Sequence, residues 1–222
     1  MCRFLVAVAW LAGAGVALAQ QQQPKVSISA SFIDAWLIRG DVCCQSNPSL
    51  PTTGIGGSAV GIVLGLDVAL SPRIGIDAEF SAPAFAEDHQ EAVKYKRNVR
   101  HRDALLSGYA RLFLRRGSML RIEPVAGASL VVSNVQSSTS YLVFTPGQPY
   151  PTYGPYGEYI RSDYGQKRFA LSGGLDVAIG RGRFAIVPTF RLHYIFREEV
   201  LKDQVGLGHW AIRPGVGVRI AF

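Results

Sequence analysis

Four histidines are the natural place to look for acid–base chemistry, because imidazole alone among unperturbed side chains titrates near neutrality. His89 and His101 fall in a polar stretch rich in Lys and Arg, while His193 and His209 fall among apolar residues. His101 stands two residues before Asp103, a spacing at which a carboxylate can orient an imidazole for general-base work. No nucleophile is marked beside it, so no catalytic set is expected. Cys43 and Cys44 are adjacent, with Cys2 far away near the start of the chain. Neighbouring cysteines close only a strained ring, and two thiols alone make a poor metal site. A vicinal disulfide, free thiols and a link to another chain all remain open. Neither a metal nor a cofactor is expected.

The larger chemical signal is a set of isolated charges spaced among small residues. Asp67, Asp77, Glu79, Glu123 and Asp176 are matched by Arg111, Arg121, Arg168, Arg191, Arg213 and Arg219. With His193 they predict a nearly balanced ionic network, provided the elements carrying them turn these residues to one side. The elements meet that condition. From Ser58 to Leu70, Val60, Ile62, Leu64, Leu66 and Val68 share one parity, and Gly61, Gly65 and Asp67 share the other. Alternation of period two is a strand signature and is incompatible with a helical stripe.

The same parity test finds eight strands. Outward sets begin with Val26, Ile28, Ala30, Phe32 and Trp36, then Ile74, Ile76, Ala78 and Phe80, and then Leu106, Ala110, Leu112 and Leu114. They continue with Leu120, Ile122, Ala126, Ala128, Leu130 and Val132, and with Phe169, Leu171, Leu175, Val177 and Ile179. Phe184, Ile186, Phe190, Leu192 and Tyr194 form the seventh, and Trp210, Ile212, Val216, Val218, Ile220 and Phe222 the eighth. Strands of about 9 to 13 residues are long enough to cross a hydrocarbon core at a tilt. Asp34 has the apolar parity of the first strand, which predicts a bulge or an earlier strand end there. Pro124, Pro188 and Pro214 fall inside strands and count against them.

Connections alternate between tight turns (71–73, 115–118, 180–183) and long loops (40–57, 84–102, 135–167, 197–208). The turns carry Arg73, Arg115, Arg116, Arg181 and Arg183 and no acid, which suits inner-leaflet phosphates. A soluble ligand-binding barrel also has period two, but its polar face meets water and is rich in Lys, Glu, Thr and Gln. Here that face is Gly, Ala and Ser with single charges, which suits the crowded lumen of an eight-stranded barrel. The sequence therefore predicts an all-β, eight-stranded antiparallel up-and-down transmembrane β-barrel with a closed polar lumen.

The first residues complete this picture. Arg3, an apolar run from Phe4 to Leu18 and the small pattern Ala17-Leu18-Ala19 read as a secretory signal peptide over 1–19, followed by one barrel domain over 20–222. Beyond it no run of 18 apolar residues occurs, so membrane-spanning helices are not expected. The net charge of +7 points to lipid phosphates once the chain is exported, and nucleic acid is not an expected partner.

The chain resembles the small outer-membrane barrels of the OmpA and OmpX type, and more broadly the porin-like outer membrane protein β-barrel family. The ending RPGVGVRIAF carries the likeness most specifically, being an alternating strand that closes on Phe222. The resemblance implies that Phe222 is an assembly signal read by the barrel-assembly machinery and that the protein lies in the cell outer membrane; unlike OmpA itself, no peptidoglycan-binding domain is expected after the barrel. Lipid A deacylases among such barrels are expected to show a His-x-Ser pair, whereas here Glu91, Asp103, Ile195 and Ala211 follow the histidines at that spacing. The expected role is structural or surface-interacting, in envelope integrity or adhesion, as a monomer. A narrow porin-like channel is the alternative, and a lipid-modifying enzyme ranks below both. In the segment KYKRNVRHR, Lys94, Lys96, Arg97, Arg100 and Arg102 are candidate lipopolysaccharide contacts. The tyrosine-rich third loop, from Tyr141 to Tyr164, suits a glycan or protein ligand, or packing against itself.

Overall fold

The computed structural model describes residues 25–40, 54–92, 95–116, 119–141, 159–181, 183–198 and 206–222. The segment 1–19 expected as a signal peptide, Cys43, Cys44, Lys94 and the middle of the tyrosine-rich loop lie outside them. Ten strands follow in order: β1 (Lys25–Arg39), β2 (Gly57–Ala69), β3 (Ile74–Pro83), β4 (Ala86–Ala92), β5 (Tyr95–Leu112), β6 (Arg115–Arg116), β7 (Leu120–Tyr141), β8 (Tyr159–Arg181), β9 (Phe184–Ile195) and β10 (Leu207–Ala221). Eight of them close a ring. β1 pairs with β2 and β10, β3 with β2 and β5, β7 with β5 and β8, and β9 with β8 and β10, each antiparallel to its neighbours. β4 folds back on β5 as a hairpin, and β6 is a two-residue pairing in the turn before β7.

The two faces of this wall meet opposite environments. Val60 is 72% exposed and Phe32 73%, while Glu123 is 0% and Arg111 2% exposed. Exposed apolar area costs about 25 cal/mol per Å² in water, so a continuous aliphatic exterior around a charged interior is stable only against hydrocarbon. Glycine lets the wall close where strands crowd: a Cβ on Gly65 would lie 2.3 Å from Ser29 Oγ. The tight turn between β2 and β3 is held by Ser71, whose Oγ accepts from the backbone N–H of Arg73 at 3.2 Å and of Ile74 at 3.0 Å.

Three strands run farther than the alternation predicts. β5, β7 and β8 continue as a sheet at the long-loop end, pairing Arg100 with Gln136 and Ser138 with Arg161. Segments 84–102 and 135–167, expected as loops, are therefore partly strand. Their outward residues are polar (Asn98, Arg100, Asn134, Gln136), so the backbone keeps its pairing where the apolar signal stops. At Asp34 no bulge forms and the strand does not end. Asp34 pairs in register with Val60, its carboxylate accepts from Trp36 Nε1, and the register shift against β10 falls between Leu37 and Arg39. Strands also continue through all three prolines, with Pro124 opposite Leu175 and Pro214 opposite Phe190.

Placing Arg at Leu64, on the apolar exterior, should lower unfolding stability in lipid vesicles by about 2 to 4 kcal/mol. Arg at Gly65 should instead prevent folding by colliding with Ser29. A neutral Leu64→Arg would mean that this face does not meet lipid.

Candidate functional site

The strand register creates an electrostatic problem in the lumen. Asp67 on β2 lies directly opposite Asp77 on β3, and Glu123 on β7 directly opposite Asp176 on β8. Like charges facing each other across a strand pair repel. Arg111, from β5, reaches both couples. Its Nη2 lies 2.6 Å from Asp67 and 2.5 Å from Asp77, and its Nη1 lies 2.6 Å from both Glu123 and Asp176. Arg219 adds contacts of 2.6 Å to Glu123, 3.1 Å to Asp176 and 3.3 Å to Asp67. Arg191 pairs with Asp176 at 2.5 Å and with Glu79, and its guanidinium lies 5.2 Å from the centre of the Tyr109 ring. Arg121 touches Glu123 at 3.4 Å from a half-exposed position.

Above this ionic layer sits a rung of hydroxyls. Ser107, Ser129, Ser172 and His193 are cross-strand neighbours, linked at 2.7, 2.6 and 2.8 Å in that order. A serine beside an imidazole is the arrangement of an activated nucleophile. The adjoining space, lined by His193, Tyr109 and Arg213, measures only about 20 Å³, enough for a water and too small for a substrate.

A second ionic layer follows. Arg197 donates to Asp103 at 2.6 Å, to Ser133 Oγ at 3.2 Å and to the Gly208 carbonyl at 2.7 Å. Arg213 donates to the Asp103 carbonyl at 2.7 Å and to Ser81 Oγ. Arg197 thus occupies the carboxylate that His101 would need.

The loop end is sealed by apolar side chains. Leu37, Ile55, Val99, Leu105, Val131, Val135, Ile195 and Leu207 pack into one cluster, with Ile55 fully buried. Ile55 descends from the first long loop and bridges to Leu207. Asp88 on β4 accepts from Gly56 N at 3.0 Å, and Gln90 donates to the Gly54 carbonyl at 3.1 Å, which holds residues 54–56 over the lumen.

Eight of the twelve residues expected in the lumen network form the ionic layer together: Asp67, Asp77, Glu79, Arg111, Glu123, Asp176, Arg191 and Arg219. Arg121 stands at its edge. His193 belongs to the hydroxyl rung and Arg213 to the second ionic layer, while Arg168 pairs with Glu198 nearer the long-loop rim. Among the candidate lipopolysaccharide contacts, Lys96, Arg100 and Arg102 are exposed on the outer face of β5, whereas Arg97 turns inward and donates to Ser137 Oγ at 3.2 Å. Arg100 and Lys96 pair with Glu87 and Glu91, and both Arg100 and Arg102 cover the Phe85 ring. Phe222 is 69% exposed, and its N–H donates to the Val26 carbonyl at 2.8 Å. The Asp103–Arg197 pair went unrecognised. Asp103 shares parity with Ser107, Tyr109 and Arg111, so extending that strand three residues before Leu106 finds it.

An even number of antiparallel strands, an apolar outer belt, a polar lumen, short turns at one rim and long connections at the other now stand together. This is the architecture of a small outer-membrane barrel. No protein-family model matches the chain, and no curated protein sequence is similar to it. Among solved structures, the attachment invasion locus protein Ail of Yersinia pestis aligns with 90% of this chain and 100% of its own, at 12% identity and a TM-score of 0.48. CarO of Acinetobacter baumannii aligns over 87% and 97%, at 12% identity and 0.45. The N-terminal barrel domain of Pseudomonas aeruginosa OprF aligns over 91% and 100%, at 14% identity and 0.35. The barrel assignment rests on the strand pairing of the chain itself.

Replacing Arg111 by Met should cost about 3 to 5 kcal/mol, measured by denaturant unfolding from vesicles, because it leaves Asp77 buried without its cation and strips one partner each from Asp67, Glu123 and Asp176. In the second layer, a double-mutant cycle of Asp103→Ala and Arg197→Ala should give a coupling energy of about 0.5 to 3 kcal/mol. Strict additivity there would mean that the two side chains act independently.

Proposed function

We propose that this protein resides in the outer membrane as a closed barrel and acts at its surface, as a structural or surface-interaction element of the cell envelope. One observation carries the reading: among the described residues four successive layers of side chains occupy the lumen, the Arg111 layer, the hydroxyl rung, the Asp103–Arg197 layer and the Ile55 cluster. What remains available to partners is the exterior. The apolar belt offers lipid contact, and Tyr194 with Trp210, their rings 5.0 Å apart, supplies aromatic surface of the kind that settles at a headgroup boundary. Above it, the extension of β5, β7 and β8 offers a polar sheet on which a glycan or protein can dock. His193 is buried beside a space too small for substrate, so lipid modification has no reaction site in this reading.

The channel alternative makes a distinct prediction. Purified, folded protein in a planar bilayer should give no steady single-channel openings, and reproducible unitary steps would overturn the closed-lumen reading. Lipid A from cells expressing the protein should be unchanged in mass.

A further inference from the structure

Buried arginines in the two ionic layers end on carboxylates, with one exception. Arg111 contacts four, Arg219 three, Arg191 two and Arg197 one. Arg213 is only 3% exposed, yet its Nη atoms donate to uncharged groups, Ser81 Oγ and the Asp103 carbonyl, and no carboxylate among the described residues pairs with it. Its cross-strand neighbour makes matters worse. Arg213 on β10 lies directly opposite Arg191 on β9, and like charges in register repel. In the second ionic layer Arg197 and Arg213 therefore stand against one carboxylate, Asp103.

A second, independent observation lies beside it. Arg213 Nε and His193 Nε2 are both shut off from water, and neither finds a hydrogen-bond partner among the described residues. Both side chains line the small space next to the hydroxyl rung, together with Tyr109. Ser172 Oγ lies 2.8 Å from His193 Nδ1. With that hydroxyl donating to Nδ1, the neutral ring carries its proton on Nε2 and presents a donor. Glu79 and Asp176 reach the same space, but Arg191 engages both carboxylates. The groups left over are thus donors around a cation that has no counter-charge. At about 20 Å³ the space holds one species of about the size of a water. A water would accept a hydrogen bond without neutralising the guanidinium, and a buried charge without a counter-charge is the costly state. A monatomic anion supplies both the acceptor and the charge, whereas sulfate, phosphate and carboxylates are too large.

We propose that the lumen binds a single halide ion between Arg213 Nε and His193 Nε2, beside Tyr109, chloride being the abundant candidate. The ion balances the second ionic layer and completes the packing between it and the hydroxyl rung. This site goes beyond the surface role proposed above and stands on the lumen geometry alone.

The full chain is folded in detergent without halide, checked by its heat-modifiable band and titrated with sodium chloride or bromide against sodium gluconate at constant ionic strength, which holds screening fixed. The midpoint of thermal unfolding should rise with either halide, as it does for any ligand bound by the folded state alone, and stay flat in gluconate. Arg213→Met should weaken the apparent halide affinity about tenfold or more, the loss expected for a charge-assisted contact. His193→Leu keeps the cation and should weaken it less, which leaves the site testable if Arg213→Met does not fold. Crystals grown in bromide should show an anomalous-scattering peak between Arg213 Nε and His193 Nε2. Equal midpoints in halide and gluconate mean that a water alone fills the space and overturn the site. An undiminished halide response in the folded variants places the ion elsewhere and overturns it too, while the closed barrel stands in either case.

Discussion

An eight-stranded barrel has a lumen too narrow to be an aqueous pore and too wide to be left empty, so its inward side chains must fill it and satisfy one another. Here the register of the strands sets two acidic couples, Asp67 with Asp77 and Glu123 with Asp176, on separate strand pairs. One guanidinium, Arg111, lies between them and binds all four carboxylates. Every strand of the ring touches this assembly. β9 and β10 contribute Arg191 and Arg219, and β1 contributes Ser27, which donates to Asp67 at 3.3 Å. Buried ion pairs are weak sources of net stability, because desolvation offsets most of the attraction. Their strength is in specificity: a one-residue slip in any strand would turn its charge into hydrocarbon and leave the others unpaired. The Arg111 layer thus acts as a register lock for the whole ring.

The other layers follow from distance to water. Around the hydroxyl rung the demands are small, and serine meets them without a net charge. Toward the loop end, the Asp103–Arg197 pair and then the Ile55 cluster replace charge with apolar packing, as in an ordinary protein core. The barrel is inside-out around its ionic layer and conventional near its mouth. That transition lets β4 and residues 54–56 belong to the folded body, and it concentrates the chemistry available to partners on the outer wall.

How much of this could be read in advance depended on the solvent each residue meets. Where the outside is lipid, as along Val60 to Val68, the apolar alternation identifies the strand, its faces and its approximate ends. Above the belt the outward residues are Arg100, Asn134 and Gln136, and the same backbone geometry carries no apolar signal, so long strands read as loops. Parity also gives the side of the wall but no depth. It placed Arg168, Arg213 and Arg111 in one class, although they lie in different layers, because depth follows from inter-strand stagger that a single sequence does not display. Asp34 misled for a related reason: at the belt edge an outward carboxylate can accept from Trp36 Nε1, and it needs no bulge.

The ring also has a seam. β1 and β10 lie side by side, Ser27 opposite Ala221, although nearly the whole chain separates them in sequence. All other neighbours in the ring are consecutive wall strands and can zip together locally. The seam alone waits for the final strand, and contacts between such distant residues are the slowest to form. Until then the half-built wall carries two unpaired edges and an aliphatic face, the combination most prone to aggregation. Closure of the ring therefore comes last, and a lipid surface is where two open edges and an aliphatic face are best tolerated until the ends meet.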